Sequence, residues 1–259
     1  VSDKFFETSS HFTEEYLNAY HNKELQGIQI LYVDSDVMIL NKPVGVLTQK
    51  AKENDYSLNE WMIGYLLEKI SQEQLETFKP SICNRLDRNT SGIVLCGISL
   101  VGSQTLNRFI KNREIKKYYR TIVKGIVKEG ASIEGCLTKN HSTNTVKISN
   151  NGSEIKTYYE PIELLKNELT YLEVDLITGK THQIRAHMAS IGYPLIGDVK
   201  YGNKKCNLKV AEKYGLKNQL LHAYRIEFPE NIGELTALSG KSFQAPLPKE
   251  FQMILEDLR

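Results

Sequence analysis

The sequence predicts an α+β fold built on a large, mainly antiparallel mixed sheet flanked by helices. Three observations predict it. Strand-like segments outnumber helical ones along the 259 residues. The two kinds rarely alternate one for one, which argues against a parallel sheet of βαβ units. An apolar content of 41% with 25% charged residues suits a globular chain long enough to bury a real core.

The elements follow in order. Residues 1–26 are polar and aromatic with no sustained period, and are expected to form a tail or a docking segment. The remainder, 27–259, is expected to form one compact domain. Ile28 to Val33 and Val37 to Asn41 read as strands joined at Asp34-Ser35-Asp36, a β-hairpin. Lys42-Pro43-Val44-Gly45 breaks that pattern into a loop. Ser57 is placed to cap a helix with Leu58, Trp61, Met62, Tyr65 and Leu66 on one face. Gly92 to Gly97 reads as a short buried strand, with a helix through Leu100, Leu106, Phe109 and Ile110 after it. Strands are expected at Lys116–Val123, Ile133–Leu137, Thr145–Ile148, Ile155–Leu165, Thr170–Ile177 and Gln219–Phe228. Helices are expected at about Thr181–Ile191, where Ile184, Met188 and Ile191 recur at helical spacing, and at Lys249–Leu258.

Composition bounds the function. No stretch approaches the roughly 20 apolar residues of a membrane span, and no signal-peptide pattern opens the chain. The expectation is a cytoplasmic protein that makes no membrane contact. Cys83, Cys96, Cys136 and Cys206 lie far apart, with no CxxC and no histidine at metal-ligand spacing, so they read as reduced thiols and a zinc site is not expected. With 33 Lys+Arg against 31 Asp+Glu, the net charge of +2 does not itself point to nucleic acid. Two local clusters are basic: Lys111, Arg113, Lys116, Lys117, Arg120 and Lys124, and then Lys200, Lys204, Lys205, Lys209 and Lys213. Either could follow a phosphate backbone, and either could be a solvated face.

Three segments carry chemistry. In Asn84-Arg85-Leu86-Asp87-Arg88-Asn89-Thr90-Ser91-Gly92, a carboxylate sits between two guanidinium groups ahead of a run of small hydroxyl residues. That composition can fix a carboxylate in a loop, or make an ordinary surface turn with ion pairs. In Thr178-Gly179-Lys180-Thr181-His182-Gln183-Ile184-Arg185, Gly179 allows a sharp turn and Thr181 is placed to cap the helix. His182, Gln183 and Arg185 would then occupy its first turn, where a phosphate or a buried Asp is a natural partner. In the strand Lys117 to Gly125, Lys117, Tyr119, Thr121 and Val123 share one face. Tyr119 could stack on a base beside cations, or belong to the core.

Taken together these segments resemble the RluA-type pseudouridine synthase family. Tyr32 to Leu47 is similar to its hairpin and "NKPxGxL"-like loop, and Asn84 to Gly92 to its "HRLDxxTSG" segment. Lys117 to Gly125 is similar to its "KxYxAxVxG" strand, and Thr178 to Gly202 to its "TGRTHQIRxHxxxxGxPxxGDxxYG" segment. Leu221-His222-Ala223 fits a late core strand. The four motifs stand in family order and, with that strand, span about residues 28–228. Asn84, Lys180 and Thr121 depart from the usual His, Arg and Ala.

The resemblance implies a catalytic domain with a central RNA-binding cleft, isomerising uridines in RNA to pseudouridine. It implies Asp87 as the catalytic carboxylate, Tyr119 as the tyrosine on the uracil, and Arg185 as the arginine paired with Asp87. Arg85, Arg88, Thr90, Ser91, Lys117, Lys180, His182 and Gln183 are the expected RNA-binding residues. No cofactor is implied, and the chain is expected to act as a monomer. The expected partner is RNA, with 23S ribosomal RNA favoured over transfer RNA. A non-catalytic RNA-binding module is the main rival. A glycoside-cleaving enzyme would need a second carboxylate at the scissile bond, and none accompanies Asp87 in its own segment.

Overall fold

Asp34 turns the chain back on itself. Its Oδ1 accepts from the backbone N–H groups of Asp36 and Val37, both at 2.8 Å, and this Asx turn joins β1 (Gln29–Val33) to β2 (Val37–Lys42). The two strands pair antiparallel, as the sequence predicts. The computed structural model describes residues 13–69, 78–140, 143, 145–149 and 151–259, and its contacts divide the chain into two compact units.

The first unit comprises the described residues of 13–88, 93–112 and 229–240. Val37, Met38, Ile39 and Leu40 of β2 are all fully buried. A helix over 13–20 (α1) packs on α2 (Leu58–Lys69), with Tyr20 set 5.5 Å from the Trp61 ring and 5.8 Å from that of Tyr65. Gly64 permits this approach, since a Cβ there would lie 2.1 Å from the Tyr16 carbonyl oxygen. Residues 13–20 are thus a packed helix, where the sequence suggested part of a tail. Residues 1–12 lie outside those described. The Ser57 hydroxyl accepts from Asn59 N at 3.3 Å at the start of α2. β3 (Ser81–Ile82) pairs antiparallel with β4 (Ser91–Gly97), which is buried along its whole length. Ser99 caps α3 (Leu100–Lys111), its hydroxyl accepting from Gly102 N at 3.0 Å.

The second unit comprises residues 89–92, 113–228 and 241–259. Its antiparallel strands are β5 (Lys116–Lys124), β6 (Ala131–Asn140), β7 (Thr145–Ser149), β8 (Ser153–Leu165), β9 (Leu169–Asp175) and β10 (Leu221–Glu227), ordered β10-β5-β9-β8-β6-β7. β11 (Ser242–Gln244) also pairs with β10. Pro161, which cannot donate to a ladder, stands at the register shift between β8 and β9. Ile122, Leu169 and Tyr171 pack with Val210 of α5 (Lys204–Tyr214) and with Phe251, Ile254 and Leu258 of α6 (Lys249–Leu258). Helix α5 was not foreseen. Its exposed lysines give no sustained apolar period, and its identity lies in the Asn203 cap and the left-handed Gly215 that ends it.

Strand β4 begins in the second unit. Ser91 and Gly92 pair in parallel with His222 and Ala223 of β10, which makes the sheet mixed. Gly92 has φ +111°, and a Cβ there would lie 2.2 Å from the Ala223 oxygen and 2.6 Å from its nitrogen. Backbone meets backbone, so no side chain can move aside. Gly92→Ala is therefore expected to lower stability by roughly 3 kcal/mol or more in urea unfolding. A loss under about 1 kcal/mol would contradict this close approach.

Candidate active site

Asp87 lies on a loop whose backbone is held on both sides. The Thr48 hydroxyl donates to the Leu86 carbonyl at 2.7 Å and accepts from Leu86 N at 3.1 Å. Gly45 N donates to the Arg88 carbonyl and Arg88 Nε donates to the Gly45 carbonyl, both at 2.9 Å. Lys42 completes the arrangement from full burial. Its ammonium donates to the carbonyls of Val46 (2.8 Å), Pro43 (3.0 Å) and Arg88 (3.1 Å), matching three N–H donors to three acceptors. Burial pulls the Lys42 pKa down to about 7 against the attraction of Asp87. The residues flanking Asp87 thus owe their path to the Lys42–Thr48 loop.

Asn84 also braces this segment. Its Oδ1 accepts from Leu95 N at 2.7 Å and its Nδ2 donates to the Ile93 carbonyl at 3.4 Å. Asp87 is half-buried, and Arg85 and Arg88 are exposed.

In the second unit Thr90 and Ser91 are buried with their hydroxyls engaged. Gln219 Nε2 donates to Thr90 Oγ1 at 3.4 Å, and Ser91 Oγ lies 2.8 Å from His222 Nδ1. Tyr119 is buried on β5 and pairs in register with Ala223, the residue that also pairs with Gly92. Tyr119 and Gly92 therefore flank one residue of β10. Lys117 is half-buried, with its ammonium 3.9 Å from where a Gly179 Cβ would stand. Burial lowers its pKa while Asp175 opposes the shift.

The segment before α4 (Gln183–Ser190) corrects one expectation. The cap is His182, held in the left-handed region at φ 54°, and no side chain caps the helix, so Thr181 does not serve. The Gln183 side chain folds back instead. Its Oε1 accepts from Thr178 Oγ1 (2.9 Å) and Lys180 N (3.1 Å), and its Nε2 donates to Thr157 Oγ1 (3.0 Å) and the Lys156 carbonyl (3.1 Å). Two of these bonds close the loop on itself and two tie it to β8, more than one hydroxyl cap could do. His182 Nδ1 lies 2.9 Å from the Tyr201 hydroxyl, and Lys180 is exposed.

Arg185 is buried in α4 and forks onto Asp198, with Nε to Oδ2 at 2.7 Å and Nη2 to Oδ1 at 2.9 Å. Of the two partners left open by the sequence, phosphate or buried Asp, Asp198 is in place. Its Oδ1 also accepts from Lys200 N (2.8 Å) and Tyr201 N (3.0 Å). The guanidinium and these amides hold the Asp198 pKa below the usual value despite burial. The pair fixes the direction of Arg185.

These features define an α+β protein whose motif carboxylate stands on a braced loop. The fold is that of the human "RNA Pseudouridylate Synthase Domain Containing 4" structure, with TM-score 0.71, 20% identity, and coverage of 96% of this chain and 98% of that one. The "RNA pseudouridylate synthase" family model matches residues 36–190. The chain belongs to that family. A ribosomal large subunit pseudouridine synthase D of Borreliella burgdorferi is 31% identical, over 89% of this chain and 68% of the relative. Another of that name, from Neisseria meningitidis serogroup B, is 33% identical over 91% of this chain. The chain spans 62% of the length of that Neisseria relative.

Sequence reasoning gave no role to Lys42, Thr48, Asp198, Gln219 or His222. Lys42 and Asp198 stood inside quoted motifs. For Lys42 the signal was a cation beside Pro and Gly in a short loop, where backbone carbonyls are left to be satisfied.

Proposed function

We propose that this chain isomerises uridines in RNA to pseudouridine, with Asp87 as the catalytic carboxylate. The observation that carries the reading is Asp87 itself: the motif carboxylate of a family member, on a loop pinned at Leu86 and Arg88 by backbone and buried side-chain bonds. The reaction breaks the bond from ribose C1′ to uracil N1, forms one to C5 and moves the C5 proton to N1. Every atom is conserved, so no redox group is called for. Asp87 either attacks C1′ or takes a proton from the sugar, and both roles use the carboxylate anion. Arg185, aimed by Asp198, is proposed to pair with Asp87. Tyr119 is proposed to pack on the detached uracil.

Arg85, Arg88 and Lys180, all exposed, and the half-buried Lys117 are assigned to RNA phosphates. Thr90, Ser91, His182 and Gln183 are assigned to shaping the walls behind them. A uridine within a stem is flipped out first, which costs about a few kcal/mol. Large-subunit ribosomal RNA is the proposed substrate, following the names of the Neisseria and Borreliella relatives. Mapping pseudouridine in total RNA from cells with and without the protein tests this. Loss of one or more large-subunit positions is expected, whereas changes confined to transfer RNA would overturn the substrate assignment. Among the described residues no helix is long and apolar enough to cross a membrane.

A further inference from the structure

Residues 89–92 belong to the second unit although the chain on either side belongs to the first. Ser91 and Gly92 of this short segment pair with His222 and Ala223 of β10, and Thr90 accepts from Gln219 just before that strand. His222 lies at their centre and is fully buried. Its Nε2 stands 3.2 Å from the Ala245 carbonyl oxygen, and its Nδ1 stands 2.8 Å from Ser91 Oγ.

A carbonyl only accepts, so Nε2 must carry the proton. In the neutral ring Nδ1 is then a bare lone pair, and Ser91 must donate to it. Both hydrogen-bond directions are fixed by one acceptor. The adjacent pair, Ala223 with Gly92, is the close backbone approach that only glycine permits. One strand thus fixes the hydroxyl of Ser91 and the backbone of Gly92, four and five residues after Asp87.

We propose that His222, as its neutral Nε2–H tautomer, is a positioning residue that sets where the Asp87 loop leaves for β4. It acts through Ser91 and touches no substrate. Burial holds the ring neutral, with its pKa drawn down to about 4. The role in turnover rests on the pseudouridine synthase reading; the role in ordering the loop does not.

The test uses the full chain. His222→Phe keeps the ring volume and removes both bonds, and Ser91→Ala removes only the one to Nδ1. Tritium release from C5-labelled RNA is expected to show kcat reduced by about tenfold or more in His222→Phe, with KM within about threefold. Ser91→Ala should fall between that variant and the parent, and the double variant should be no slower than His222→Phe alone. His222→Asn, whose amide oxygen can replace Nδ1 as acceptor, should recover part of the loss. A His222→Phe kcat within twofold of the parent, or additive effects in the double variant, would overturn the proposal.

Two readouts stand apart from activity. Nitrogen chemical shifts of the His222 ring should report Nε2–H with Nδ1 accepting. Amide exchange in the 84–92 segment should rise about tenfold in His222→Phe while β8 and β9 stay protected. If His222→Phe does not fold, Ser91→Ala carries the exchange comparison. Absence of tritium release from the parent would defeat the functional reading alone. A ring protonated on Nδ1, or unchanged exchange at 84–92, would defeat the positioning role alone.

Discussion

Asp87→Asn is expected to lower single-turnover conversion of uridine by about four orders of magnitude while RNA affinity stays within about threefold. Asparagine keeps the volume of the side chain, so the bonds through Leu86 and Arg88 persist and the loop retains its course. What disappears is the anion, which neither proposed role can spare. Because Lys42 and Arg88 are committed to backbone carbonyls, this substitution removes neither of their bonds. Turnover by Asp87→Asn within tenfold of the parent would remove Asp87 from the chemistry. A collapse of RNA affinity would instead make it a binding residue.

The second large effect is acid destabilisation through two buried histidines. His187 and His222 are both fully buried, and desolvation draws each from 6.5 down to about 4. Their folded pKa values lie below the unfolded one, so between about pH 6.5 and 4 the unfolded chain binds more protons. Stability in this window therefore falls as pH falls, and the loss saturates below about pH 4. Linkage gives about 2 kcal/mol per histidine between pH 7 and pH 5.

Asp198, with its lowered pKa, acts only below about 3.8, so it does not enter this comparison. Asp175, raised by burial, opposes the histidines at the acid end of the window. Urea unfolding at the two pH values should show the parent losing several kcal/mol. His187→Gln should lose about 2 kcal/mol less, since Gln carries no proton in this range. Equal losses in parent and variant would show that His187 titrates normally.

Much of the fold was legible because its strands carry their own signals. The β1–β2 hairpin was evident from the Asp34 turn between two apolar runs, and β4 from glycines bounding Ile93–Cys96. Elements were missed where local pattern carries little weight. Helix α5 has one buried apolar residue, Val210, and is fixed by its end caps. Residues 13–20 lie in a segment with no sustained period, and their packing depends on Gly64 being small.

The site was legible in its types of residue and less so in its supports. The Asp87 loop and the buried-Asp option for Arg185 could be read from composition. That Lys42 would be buried on three carbonyls could not, since those acceptors come from residues 43, 46 and 88. The Thr181 cap failed for a similar reason. A Gln side chain with four partners, two of them on β8, outweighs a local hydroxyl, and sequence spacing gives no hint of β8 beside it.

The most direct measurement uses purified protein and large-subunit ribosomal RNA carrying tritium at C5 of its uridines. The expected result is saturating release of tritium into water with no added cofactor, accompanied by pseudouridine at the same sites. RNA that binds the protein yet keeps all its tritium, for large-subunit and transfer RNA alike, would contradict the account.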